Sequence, residues 1–231
     1  MIILSENKEV LTFENVSFGY KDGNKKLEIL KDANVSFEDG TFYSIIGPSG
    51  SGKTTTLALA GALDSPQKGK ILYQGKDIRK IGLTKYRRDT VSMVFQSFNL
   101  ISYMTALENV IMVMEISRTH KKDRKKSALE ILEKLGLSKE EAKRNVRRLS
   151  GGQQQRVAIA RAFASEAKII LADEPTGNLD TQTAEDIVAL LKELATTYGK
   201  CVIVVTHSED VSKQADKVMR FAKGGMQPIA I

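Results

Sequence analysis

The octapeptide Gly47-Pro48-Ser49-Gly50-Ser51-Gly52-Lys53-Thr54 follows an apolar run at 42–46 and precedes a helix-favouring segment at 55–63. Few folds accept so glycine-rich a turn between a strand and a helix. The glycines let backbone N–H groups converge on phosphate oxygens, and the helix start adds favourable dipole charge, so the segment matches the P-loop pattern. Within that pattern Lys53 reaches the outer phosphates and Thr54 offers its hydroxyl to Mg²⁺, with Thr55 completing the phosphate-contacting set. A P-loop alone leaves kinases, GTPases and many ATPases open.

The rest of the chain fixes the fold class. Stretches 11–18, 33–37, 41–46, 71–73 and 91–95 are β-rich or alternating, whereas 105–137 has helical spacing, beginning at a capping-box pattern of Thr105 and Glu108. Strand and helix signals then alternate through 168–171, 181–198 and 201–205. That alternation predicts an α/β protein with a mainly parallel sheet and crossover helices, the helical stretch being inserted within one domain.

Two further segments place polar groups where such a sheet binds ligands. Ile169-Ile170-Leu171-Ala172 is an apolar strand ending in Asp173 and Glu174, which puts two carboxylates at the carboxyl edge of the sheet. Asp173 is suited to hold Mg²⁺ and Glu174 to orient or deprotonate an attacking water. His207 follows another buried-type strand, 202–206, and its imidazole is a candidate to touch the terminal phosphate or position that water. His120, in a basic run, has no comparable setting.

Leu149-Ser150-Gly151-Gly152-Gln153 discriminates among P-loop proteins. Ser150 and Gln153 have capping-box spacing, and Gly151 and Gly152 leave the following helix N-terminus open as a second anion site. This pentapeptide resembles the signature of the ABC ATPases, and the accompanying motifs occur in that family's order from Tyr20 to His207. The resemblance implies a P-loop NTPase core, an antiparallel β subdomain and an inserted α-helical subdomain at about 97–165 of a single 1–231 domain. It implies that Tyr20 stacks on adenine, that Gln96 senses Mg²⁺ or water, and that Ser150, Gly151, Gly152 and Gln153 contact nucleotide. Asn178-Leu179-Asp180 then occupies a loop that meets a second protomer, with Asp180 counted among the nucleotide-binding residues.

By the same resemblance ATP and Mg²⁺ are the expected cofactors, and the unit of action is a dimer of two copies. The expected further partner is a separate integral membrane permease, met at the cytoplasmic face of the membrane. The run from Asp173 to Asp180, with Gly152-Gln153-Gln154-Gln155-Arg156, is similar to the lipoprotein-release and macrolide-export branch, which favours export or membrane extraction. The approach to the signature, 143–149, lacks that branch's usual proline. A non-transport ABC ATPase of cell-division control or iron–sulfur assembly shares the same motifs and stands as the alternative.

Composition narrows the partners. The 231 residues include no apolar run near the roughly 20 residues a membrane-spanning helix needs, and the first residues lack a secretory pattern, which predicts a cytoplasmic chain. A formal charge of +7 raises the question of nucleic acid, but the densest basic run, 118–126, is read as the solvated start of an amphipathic helix. No nucleic-acid partner is expected. Cys201, the single cysteine, lies in an apolar run and is read as a core residue.

Overall fold

The computed structural model describes residues 8–22, 25–222 and 225–229. The strands are β1 (Glu9–Asp22), β2 (Lys25–Glu38), β3 (Phe42–Ile46), β4 (Lys68–Tyr73), β5 (Lys76–Asp77), β6 (Val91–Phe95), β7 (Ile169–Asp173), β8 (Cys201–Val205), β9 (Lys217–Ala222) and β10 (Gly225–Ile229). The helices are α1 (Lys53–Ala60), α2 (Ile78–Ile81), α3 (Leu83–Asp89), α4 (Ala106–Ser117), α5 (Arg124–Lys134), α6 (Lys139–Ala142), α7 (Gly151–Ala164), α8 (Thr181–Thr196) and α9 (Glu209–Lys213).

One sheet has the order β10-β9-β3-β8-β7-β6, parallel throughout except for the antiparallel edge pair β9 and β10. The other, β2-β1-β4-β5, is antiparallel. β3, β7 and β8 read as nearly continuous apolar runs because both faces of the parallel sheet are covered. Phe42, Ile170, Ala172, Val202 and Val204 face an apolar cluster built with α4, α5, α7 and α8. Their neighbours Tyr43, Ile45, Ile169, Leu171, Ile203 and Val205 face a second cluster with α1 and the antiparallel sheet. Helices α4 to α7 thus share their core with the sheet they interrupt. Cys201 is fully buried in the second cluster, where burial pushes its thiol pKa up, as a core cysteine requires.

Local sequence explains the helix starts. Thr105 and Glu108 form the expected capping box at α4, and Ser138 with Glu141 forms another at α6. The basic run is organised differently from expectation. Arg118 caps the end of α4 in a left-handed conformation, and α5 begins only at Arg124, where Asp123 accepts a hydrogen bond from the Lys126 N–H at 3.0 Å. Residues 118–123 are therefore a connection. It is fixed by the Thr119 hydroxyl, which donates to the Ala164 carbonyl at 2.8 Å. Among the described residues no helix is long and apolar enough to cross a membrane.

Candidate active site

The glycine-rich turn joins β3 to α1 as its flanks predict, with the helix beginning at Lys53, two residues earlier than the sequence suggests. Gly52 has φ of 110°, and a Cβ there would lie 2.4 Å from Ile29 Cγ2. Both the backbone angle and the close neighbour demand glycine. The Thr56 N–H and hydroxyl close on the Gly52 carbonyl at 2.9 and 3.0 Å, fixing the first helical turn.

Lys53 is buried, and its ammonium folds back over the turn, donating to the carbonyls of Gly47 at 2.8 Å and Pro48 at 3.0 Å. Its Nζ also lies 3.3 Å from His207 Nε2. Burial lowers the Lys53 pKa, opposed by the charges of Glu174 and Asp173. The P-loop lysine, both strand-end carboxylates and the strand-end histidine therefore share one field.

The strands deliver them together because β7 and β8 run parallel with Asp173 beside Val205. The Thr54 hydroxyl donates to Asp173 Oδ1 at 3.2 Å. Glu174 Oε2 accepts from the His207 N–H at 3.3 Å, and Glu174 Oε1 is 3.4 Å from His207 Nε2. That imidazole nitrogen can accept from Lys53 or donate to Glu174, but not both at once, so the tautomer decides which neighbour it serves. With the nitrogen turned to Lys53, Glu174 Oε1 is a buried acceptor with no donor among the described residues. Glu174 itself has φ of 44°, a left-handed conformation costly for a residue with a Cβ, and its N–H donates to the Val205 carbonyl at 2.9 Å.

Burial raises the Asp173 pKa, while the Thr54 hydrogen bond and Lys53 pull it down less strongly. The folded protein therefore holds this proton more tightly than the unfolded chain. Below the ordinary carboxyl pKa of 3.8 the group is neutral in both states, and its contribution to stability falls as pH rises through the elevated folded value. Asp173→Asn is accordingly expected to melt higher than the parent in metal-free buffer at pH 7, with the difference shrinking towards pH 4. Thermal melts at the two pH values check this; a lower melting temperature at pH 7 would contradict it.

These groups line one open cleft, together with Ser49, Gly50, Gly52, Thr55, Gln96 and Tyr20. Tyr20 is 46% exposed, lines the cleft, and makes a T-shaped contact with Phe18, ring centroids 5.1 Å apart. Gln96 follows β6; its side chain donates to Asn178 Oδ1 at 3.2 Å, and Asn178 Nδ2 donates back to the Gln96 carbonyl at 3.3 Å. Gly47, Pro48 and Ser51 shape the turn without lining the cleft. Leu27 and Ile29 line it and were not anticipated. Their signal is the pairing of β1 with β2, which sets Leu27 opposite Tyr20.

The signature residues lie off this cleft. Ser150 and Gln153 form their capping box at the start of α7, with Gln153 Oε1 accepting from the Ser150 N–H at 2.9 Å. Gly152 abuts α8, since a Cβ there would lie 2.4 Å from Thr183 Cγ2, and Gly151 faces Leu179 and Phe98. Asp180 also lies off the cleft. Both of its carboxylate oxygens are engaged in capping α8, accepting from the Thr183 N–H at 3.0 Å and hydroxyl at 2.6 Å, and these bonds hold its pKa low.

A strand, a phosphate-cradling turn and a helix, set beside a second strand that ends in two carboxylates, define a P-loop nucleoside triphosphatase. Residues 30–177 match the ABC transporter family, and the chain belongs to that family as its ATP-binding, ATP-hydrolysing domain. The uncharacterized ABC transporter ATP-binding protein YclH of Bacillus subtilis is 50% identical over 215 residues, covering 93% of this chain and 94% of its own length. The lipoprotein-releasing system ATP-binding protein LolD of Rickettsia bellii is 37% identical over 220 residues, covering 95% of this chain and 98% of LolD. Among solved structures, the dimeric ABC transporter cassette MJ0796 superposes with a TM-score of 0.86 at 41% identity, covering 96% of this chain and 99% of that one. MJ0796, from Methanocaldococcus jannaschii, has also been solved as a dimer in a post-hydrolysis state bound to ADP and Pi, at a TM-score of 0.84.

Proposed function

We propose that two copies of this chain close around two ATP molecules and that the cycle of closure and hydrolysis drives a separate integral membrane permease. One observation carries the dimer: the P-loop cleft and the signature helix N-terminus are both built, yet the signature residues do not line the cleft of their own chain. A nucleotide held by both requires a second copy. The dimeric assembly of MJ0796 and its ADP and Pi state support this reading.

In the proposed site, residues 47–55 hold the phosphates, with Lys53 leaving the Gly47 and Pro48 carbonyls to pair with phosphate oxygen. Tyr20, half-exposed at the edge of the cleft, offers its ring for stacking on adenine. Residues 150–153 of the other copy supply backbone N–H groups to the same nucleotide. Glu174 accepts the proton of the attacking water while the His207 backbone N–H holds its Oε2, and the His207 nitrogen that now faces Lys53 turns to the phosphate side as a donor. Asp180 serves by capping the helix at the loop that meets the second copy.

Mg²⁺ fits this donor set. The Thr54 hydroxyl and Asp173 carboxylate are hard oxygen donors 3.2 Å apart, and burial leaves Asp173 in want of a cation. Thr54, Asp173 and Gln96 would hold the ion, with nucleotide oxygens and water filling the remaining positions; bound there it neutralises charge developing on the phosphates.

Residues 1–231 act in this reading as one ABC ATPase domain, with 97–165 as the helical subdomain that passes the cycle to the permease at the cytoplasmic face. The kinship with LolD supports export or extraction from the membrane as the direction. Isolation of the chain from native membranes in mild detergent should recover a multi-span membrane protein in fixed stoichiometry, and the pair reconstituted in vesicles should hydrolyse ATP faster than the chain alone. Recovery only from the soluble fraction, without such a protein, would count against the transport role.

A further inference from the structure

Gln155 lies on α7, two residues beyond the signature, and is fully buried. Polar side chains are seldom buried completely unless every hydrogen-bonding atom is used, since an orphaned one loses its water without compensation. Gln155 meets only half of that condition. Its Nε2 donates to the Pro175 carbonyl at 2.7 Å, while its Oε1 is buried with no partner among the described residues. A methionine would fill the same space with no such orphan, so packing alone does not explain an amide here.

The bond it makes falls at a consequential place. Pro175 directly follows Glu174, whose left-handed backbone needs external restraint to persist. The turn restrains itself in part: the Gly177 N–H donates to the Glu174 carbonyl at 3.1 Å, and the Leu179 N–H donates to the Thr176 carbonyl at 3.1 Å. The Pro175 carbonyl between them receives the Gln155 amide. Three successive carbonyls after the carboxylate strand are thereby pinned, the middle one from the signature helix. Proline contributes no N–H of its own to hold the chain at that point.

We propose that Gln155 is a positioning residue for hydrolysis, holding the Pro175 carbonyl so that Glu174 keeps its strained backbone and its carboxylate stays aimed beside His207. The inference rests on the reading of Glu174 as the group that handles the attacking water. It gives the signature helix a direct mechanical hold on the hydrolytic carboxylate of its own chain, distinct from the nucleotide contacts of the signature itself.

Gln155→Met separates positioning from packing. It exchanges one orphan, Oε1, for another, the Pro175 carbonyl, so the melting temperature should stay close to the parent's. The KM for MgATP should remain within about twofold, while kcat falls roughly tenfold or more, the scale of one lost hydrogen bond to a buried acceptor. Single-turnover hydrolysis should be compared among the parent, Gln155→Met, Glu174→Gln and the double variant. Because Gln155 acts through Glu174, its substitution should have no further effect once Glu174 is glutamine. An unchanged kcat, or the same fractional loss in both backgrounds, would overturn the proposal; Gln155→Leu gives the same comparison if the Met variant does not fold. Undiminished hydrolysis by Glu174→Gln alone would overturn the underlying assignment of Glu174, a result distinguishable from failure at Gln155.

Discussion

Glu174→Gln is expected to bind MgATP as the parent does while losing roughly 10²- to 10⁴-fold in steady-state hydrolysis, the range of a positioned general base. The carboxamide keeps the shape of the side chain and an oxygen to accept from the His207 N–H, which the carboxylate does now at 3.3 Å. What disappears is the capacity to take a proton. Two copies closed around ATP should then fail to reopen, so size-exclusion chromatography with MgATP should shift the variant, but not the parent, to dimer. Undiminished turnover would remove Glu174 from the chemistry.

Lys53→Ala should weaken nucleotide binding roughly 10²-fold. Its ammonium is poised on the Gly47 and Pro48 carbonyls, and burial makes it a strong partner for any anion that enters the turn. Loss of charge-assisted contacts worth about 1.5–3 kcal/mol each amounts to roughly 10²-fold in affinity for one or two of them. Stabilisation by ligand reports this directly. At a nucleotide concentration about 100 times the parent's Kd, the parent gains about 2.7 kcal/mol and the variant about 0.4 kcal/mol. Gly47 is half-buried and Pro48 exposed, so water can reach the two loop carbonyls released by the substitution, and the nucleotide-free melt should change little. A full ligand-induced rise in melting temperature for Lys53→Ala would contradict the role given to this lysine.

The parts of the fold visible in the sequence are those whose cause is local. β6 and β8 fall at 91–95 and 201–205 as their β-rich runs predict, and β8, buried throughout, is the continuous hydrophobic stretch of a strand covered on both faces. The capping boxes of Thr105 with Glu108 and Ser150 with Gln153 are visible because both partners lie three residues apart. α2, α3, β9 and β10 carry no comparable pattern and emerge only from packing. The connection at 118–123 reads as helix from its composition. It breaks because Arg118 and His120 take left-handed conformations and Thr119 is tied to α7, a contact 45 residues distant.

The site divides along the same line. Residue types at motif positions name Lys53, Thr54, Asp173, Glu174 and His207. Nothing in the sequence tells that His207 stands between Lys53 and Glu174, or that Gln96 and Asn178 bond reciprocally across 82 residues. Asp180 illustrates how two roles share one residue type, since a carboxylate beside a helix start serves an interface or a cap equally well, and here its oxygens cap. Gln155 was visible only as part of a run of three glutamines; its reach to Pro175 is tertiary.

The in-register alignment of the central strands gives the site an unequal tolerance to change. Ile45 of β3 and Asp173 of β7 both sit opposite Val205 of β8, so three chain segments reach the cleft at one level. A slip of one position in β7 would carry Asp173 about 3.3 Å along the sheet and turn it to the opposite face. The chemistry is thus gauged by a ruler whose divisions are whole residues. Substitutions that preserve hydrophobic volume along these strands leave the gauge intact, whereas a single inserted or deleted residue resets it. Length can vary far more cheaply in the connections remote from the carboxyl edge, which leaves such a chain free to be refitted to new partners while its hydrolytic geometry stays fixed.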